Sequence, residues 1–137
     1  MRFMVIMYPG PAAEAGVLPD EKILTAMGQF NEELASKGML LAGEGLQPTS
    51  KGARIRFSGG AATVTDGPFA EAKEVVGGYW MIQAPSKEAV VEQFRRCPAN
   101  VDDFIEIRQV YEAEDFGPAL TPELREAESR LRDATAR

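Results

Sequence analysis

Residues 53–84 read ARIRFSGGAATVTDGPFAEAKEVVGGYWMIQA, and the way this stretch divides decides the fold. Arg54 and Arg56 alternate with Ile55 and Phe57, Ser58-Gly59-Gly60 turns the chain, and Ala61–Thr65 alternates again, which predicts a β-hairpin. Val75–Ala84 then resumes as a longer apolar strand. Between the two, Asp66-Gly67-Pro68-Phe69 and the charged AEAKE segment form a connection longer and stiffer than a chain reversal needs, a composition suited to walling a pocket.

Working outward, Phe3–Tyr8 is an apolar run ended by Pro9-Gly10-Pro11, the pattern of a buried central strand, and Pro11–Pro19 reads as loop. Asp20 is placed to cap a helix whose apolar positions Ile23, Met27, Phe30 and Leu34 recur at helical spacing, with Gly38 just past its end. Met39–Leu46 is a second strand. Beyond residue 84, Pro85-Ser86 starts a helix with the stripe Val90, Phe94 and Cys97, Arg95 and Arg96 complement its C-terminal dipole, Pro98 stops it, and Phe104–Tyr111 alternates as a last strand. With the hairpin taken as an insertion, the order is βαββαβ: an α+β, ferredoxin-like arrangement with both helices on one face of an antiparallel sheet. The other face is left open, and a second copy of the chain is its simplest cover. The expected domain is 1–111. Residues 112–137 form a polar extension in which Thr121-Pro122 starts a short helix with a thin stripe of Leu124, Ala127 and Leu131.

Composition excludes several classes of function. The 137 residues contain no histidine, which removes the commonest general base and metal ligand, and the single cysteine, Cys97, permits neither an internal disulfide nor a thiolate cluster. Arg95 and Arg96 would favour a Cys97 thiolate, but its place on an apolar stripe favours a packing role. Net charge is −6, and the extension, with 7 acidic and 4 basic residues, is no more basic than the body, so direct nucleic-acid binding is disfavoured. No apolar stretch approaches the ~20 residues that span a bilayer, so the expected setting is cytoplasmic and not membrane-bound.

Glu44 stands between Gly43 and Gly45 in an otherwise apolar strand, a local inconsistency that marks either a site or a bulge with the carboxylate in water. Lys51, Arg54 and Arg56 share a face that can meet an anion or simply face solvent. Asp66 is open to two readings: a catalytic or anion-binding carboxylate, or the acceptor of an Asx-type turn bonded to the amides near Gly67 and Phe69.

The ordered set FNEELASKGMLLAGEGLQPTSKGARIRF, VTDGPFAEAKEVVGGYWMIQ and a helix ending RRCP resembles the DGPF branch of the YCII-related family over about residues 1–111. That resemblance implies a dimeric α+β barrel, a homodimer whose two sheets face each other, with a cleft between helix, inserted hairpin and sheet. Some relatives are encoded beside sigma factors of the extracytoplasmic-function class. Others have a His-Asp active site, and a few act on chlorinated aromatic intermediates; without histidine this chain keeps only the acidic half, as Asp66.

Two functions follow as expectations. One is a small-molecule protein acting as a cofactor-independent lyase, isomerase or dehalogenase, with Asp66 or Glu44 as base, Arg56 or Lys73 stabilising negative charge, and Tyr8, Phe69, Tyr79 and Trp80 as the apolar wall. The other is a non-catalytic ligand- or protein-binding accessory module in a sigma-factor-linked stress response. Neither calls for a metal or cofactor.

Overall fold

The computed structural model describes residues 1–69 and 74–136. The chain runs β1 (Arg2–Tyr8), α1 (Pro11–Glu14), α2 (Glu21–Ser36), β2 (Leu40–Gly45), β3 (Ala53–Ser58), β4 (Ala61–Asp66), β5 (Gly78–Gln83), α3 (Lys87–Phe94), β6 (Phe104–Gln109) and α4 (Pro122–Thr135), with 3-10 turns at Thr49–Lys51 and Ala113–Ala119. β2, β5, β1 and β6 form one four-stranded sheet in that order, every neighbouring pair antiparallel, while β3 and β4 pair only with each other. This is the ferredoxin-like order with a hairpin inserted between its second and third strands.

The helices sit where their caps place them. The Asp20 carboxylate accepts from Ile23 N at 2.9 Å and the Ser86 hydroxyl from Ala89 N at 3.2 Å, each satisfying an amide that the first helical turn leaves unpaired. Strand alternation then sorts the sheet. Phe3 and Val5 of β1 and Trp80 and Ile82 of β5 point to one face and are buried beneath Phe30 and Leu34 of α2 and Val90 and Phe94 of α3. Three rings lock these layers: Trp80 meets Phe94 edge to face at 5.2 Å, Phe94 meets Phe30 at 5.1 Å, and Phe30 meets Trp80 at 6.4 Å. The opposite face carries Met4, Ile6, Tyr8, Tyr79, Met81 and Phe104 and lies away from α2 and α3.

Several expectations change in detail. The stretch after β1 is not all loop: Pro11 occupies the first turn of α1, where its fixed φ and missing N–H suit a helix start. β5 begins at Gly78 rather than Val75. Gly77 lies against Pro9, where a Cβ would approach the ring to 2.5 Å, and its N–H donates to Met7 O at 2.8 Å. Irregular pairing in β2 falls between Leu40 and Ala42 rather than at Glu44, which is exposed. Cys97 lies just beyond α3, half-buried against the core, and burial aided by the Asp103 charge pushes its thiol up to about 11, away from the thiolate that Arg95 and Arg96 would favour. α4 forms, with the Thr121 hydroxyl accepting from Leu124 N at 3.3 Å, but none of its residues is buried.

Two glycines make opposite predictions. A Cβ on Gly67 would fall on the Thr49 carbonyl oxygen and lie 2.6 Å from its carbon, so Gly67→Ala should cost about 1–3 kcal/mol by overpacking against backbone. A Cβ on Gly28, inside α2, meets nothing within 4 Å, and Gly28→Ala should stabilise by ~0.5–1 kcal/mol. Urea unfolding of the two variants checks both signs. Because α4 buries nothing, truncation after Asp115 should barely move the melting midpoint.

Candidate functional site

α2 is fully buried only in its second half, at Phe30 and Leu34, while Met27 in its first half packs partly buried against the core. Its first half, with Ile23, Leu24 and Met27, faces the part of the sheet where β2 carries Gly43 and Gly45 and β5 begins at Gly78. The glycine-bearing strand and the apolar helix flank a cleft of about 350 Å³, open to solvent past the exposed Leu24 and Gly45, with Met7, Pro19, Gly77 and Trp80 completing its wall. That is within the range of small-molecule sites. The glycines serve it in two ways. A Cβ on Gly43 would lie 3.2 Å from Trp80 Cδ1 and one on Gly78 2.9 Å from Glu44 O, so these two allow close packing, whereas a Cβ on Gly45 would meet nothing within 4 Å. The polar point of the wall is Asn31, whose Oδ1 accepts from Trp80 Nε1 at 2.9 Å.

A second hollow of about 420 Å³ lies between the end of β6 and α4. Four charges there are already paired, Arg2 with Glu112 at 2.8 Å and Arg132 with Glu128 at 2.9 Å. The helix-sheet cavity is therefore the better candidate. Among the described residues, no cluster of acidic or cysteine side chains is arranged to hold a metal ion, and no helix is long and apolar enough to cross a membrane.

Within one chain, the residues singled out from the sequence fall in three places. Trp80 is in the cavity wall. Glu44 and Tyr79 are register partners that border the cavity, but alternation directs their side chains to the helix-free face, which they share with Tyr8, stacked on Phe104 at 4.6 Å. Asp66, Arg56 and Phe69 belong to the hairpin and its turn and do not line the cavity. Arg56 is exposed opposite Thr63; its neighbour Arg54 is the one that lies over the Phe69 ring, at 4.0 Å. Lys73 lies outside the described residues.

Among the described residues the turn is not held as an Asx motif. Gly67 N donates to Gly52 O at 2.9 Å and Phe69 N to Thr49 Oγ1 at 3.2 Å, so both amides expected to bond Asp66 are engaged elsewhere. What organises it is a residue the sequence reading missed. The Glu14 carboxylate accepts from Thr49 N at 2.8 Å and from the Thr49 hydroxyl. Donation of that single hydroxyl proton to Glu14 turns the oxygen's lone pairs toward Phe69 N. A chain of hydrogen bonds thus ties α1 to the 3-10 turn at Thr49 and on to the buried Phe69. The Thr49 hydroxyl, followed by its amide, holds the Glu14 carboxyl below its ordinary value of 4.5.

A YCII-related domain model matches residues 1–114, which takes in the sheet, the hairpin, α1, α2 and α3. The chain belongs to the YCII-related family. An uncharacterized protein of Rhizobium meliloti (strain 1021) is 32% identical over 83 residues, covering 61% of this chain and 66% of the relative, so the chain spans just under two thirds of that curated relative's length. Among solved structures, a 5-chloro-2-hydroxyhydroquinone dehydrochlorinase from Burkholderia phenoliruptrix AC1100, in complex with 2,5-dihydroxybenzoquinone, aligns with a TM-score of 0.40 and 15% identity over 83% of this chain and 98% of its own.

The Glu14 latch makes a pH prediction. A carboxyl whose folded pKa is depressed contributes stability that is complete above its unfolded value and is lost as pH falls through the folded value. The stability gap between wild type and Glu14→Gln should therefore be constant above about pH 6 and close as pH drops below 4.5, the ordinary value. Hydrogen exchange at the Phe69 amide should be faster in Glu14→Gln at neutral pH. An unchanged rate would show that the turn does not need the latch.

Proposed function

We propose that this family member binds a small organic molecule in the cavity between the first half of α2 and the glycine-floored edge of the sheet. The observation that carries this reading is the cavity itself: about 350 Å³ of apolar space with one oriented polar side chain in its wall. Among the described residues, the side chains on its helix side include no ionisable group, which favours binding over proton transfer at that point.

Our reading of the assembly is a homodimer in which a second copy covers the helix-free face. Apolar Met4, Ile6, Tyr8, Met81 and Phe104 support it, because a face of that composition is stabilised by removal from water. Such a cover would also enclose Glu44 beside Tyr79, and a carboxylate withdrawn from water becomes a better base. This favours a second reading, a cofactor-independent lyase, isomerase or dehalogenase in which Glu44 moves a proton. Asp66, exposed at the end of β4, would need a partner surface to join it.

Sedimentation at micromolar concentration should give a dimer, with an interface of more than ~1,000 Å². A folded monomer would end the assembly reading. With a ligand in hand, Glu44→Gln and Asp66→Asn separate the two functions: unchanged affinity with turnover reduced by ~10²-fold or more marks a base, and unchanged turnover in both variants leaves binding alone.

A further inference from the structure

Asn31 is a half-buried residue on the flank of α2, and its orientation is fixed by chemistry. The indole N–H can only donate, so the atom 2.9 Å from Trp80 Nε1 must be the amide oxygen. The Asn31 NH2 group is then turned away from Trp80, on a side chain that lines the cavity. Among the described residues, no acceptor lies within hydrogen-bond distance of it, and it is not sealed off: the side-chain polar atom buried without a partner there is Gln93 Nε2, on α3.

We propose that Asn31 is the specificity-determining residue of the cavity, and that its amide N–H groups select a neutral, planar ligand bearing a carbonyl oxygen. The inference rests on the cavity being a ligand site. Shape follows from the glycine floor facing Ile23 and Met27, a slot with a flat side. Neutrality follows from charge: among the described residues the lining includes no lysine or arginine, so an anionic ligand would leave water with no cation to pair with it. The acceptor follows from Asn31, whose NH2 is open to water in the free protein: a ligand that displaces that water without offering an acceptor leaves the donors unpaired, and one with a carbonyl oxygen restores the bond.

The test uses matched monocyclic probes, acetophenone with a carbonyl, ethylbenzene without one, and benzoate with a charge, titrated against the full chain and followed by NMR at the Asn31 side-chain amide and the indole N–H. Trp80 is the single tryptophan, so the indole signal is unambiguous. Acetophenone should bind about fivefold tighter than ethylbenzene, the worth of one net hydrogen bond, and should shift the Asn31 NH2 signals, while benzoate binds weakest. Asn31→Asp retains an acceptor for Trp80 and loses the donors, so the ratio of acetophenone to ethylbenzene affinity should fall to about one. Asn31→Leu, which removes donor and acceptor together, should show the same loss of preference and covers the case in which the added charge unfolds the chain. Equal binding of acetophenone and ethylbenzene to the wild type would overturn the role of Asn31 and leave the cavity as a site. Failure of every probe to move the Trp80 signal at millimolar concentration would overturn both.

Discussion

The edge-to-face contact among Phe30, Trp80 and Phe94 joins both helices to the sheet at one point. Trp80 stands on β5, an inner strand, and the two phenylalanines come down on it from α2 and α3. Offset aromatic pairs of this kind add ~0.5–1.5 kcal/mol each beyond the area they bury. Placing both helices over one ring commits them to the same face of the sheet, and that leaves the other face bare. The indole also brings a polar N–H into an apolar layer. Asn31 answers it, one helical position beyond Phe30, so the packing of the core and the polarity of the cavity wall come from a single residue.

The cavity owes its volume to what α2 and β2 lack. α2 is drawn to the sheet by Phe30 and Leu34, both in its second half, while its first half passes over strands whose inward positions are glycine. Gly43 and Gly78 are needed for close approach of neighbouring atoms, and Gly45 leaves open space. A side chain at Gly45, where a Cβ meets nothing within 4 Å, would fill room that is open to a ligand.

Much of this was legible in the sequence, and the parts that were not share a cause. The caps at Asp20 and Ser86, the helical stripes and the strand order rest on neighbours a few residues apart, and they read correctly. Glu14 did not, because its partner Thr49 is 35 residues away and only the closed fold shows the pair. The same holds for Asp66: a local rule pointed to an Asx turn, but the Thr49 hydroxyl and the Gly52 carbonyl, brought in by tertiary packing, took the amides first. Alternation put Arg54 and Arg56 on one face of the ribbon without saying which is level with Phe69. For the grouping of Glu44, Tyr79 and Trp80, strand parity was the missing step. Adjacent residues 79 and 80 point to opposite faces, so a wall that includes both side chains needs two surfaces.

The hairpin of β3 and β4 has a further consequence. Among the described residues its strands pair only with each other, its apolar side chains Ile55, Phe57 and Val64 are exposed, and it is joined to the body near its base, through Gly52, Thr49 and Phe69. A two-stranded ribbon so attached is a cooperative unit of its own, able to open without disturbing the sheet and helices. Calorimetry and other global melting signals report the unit that buries the core. Events at the ribbon, including capture of a partner, would therefore leave such a signal nearly unchanged and would be visible only to probes that report residue by residue.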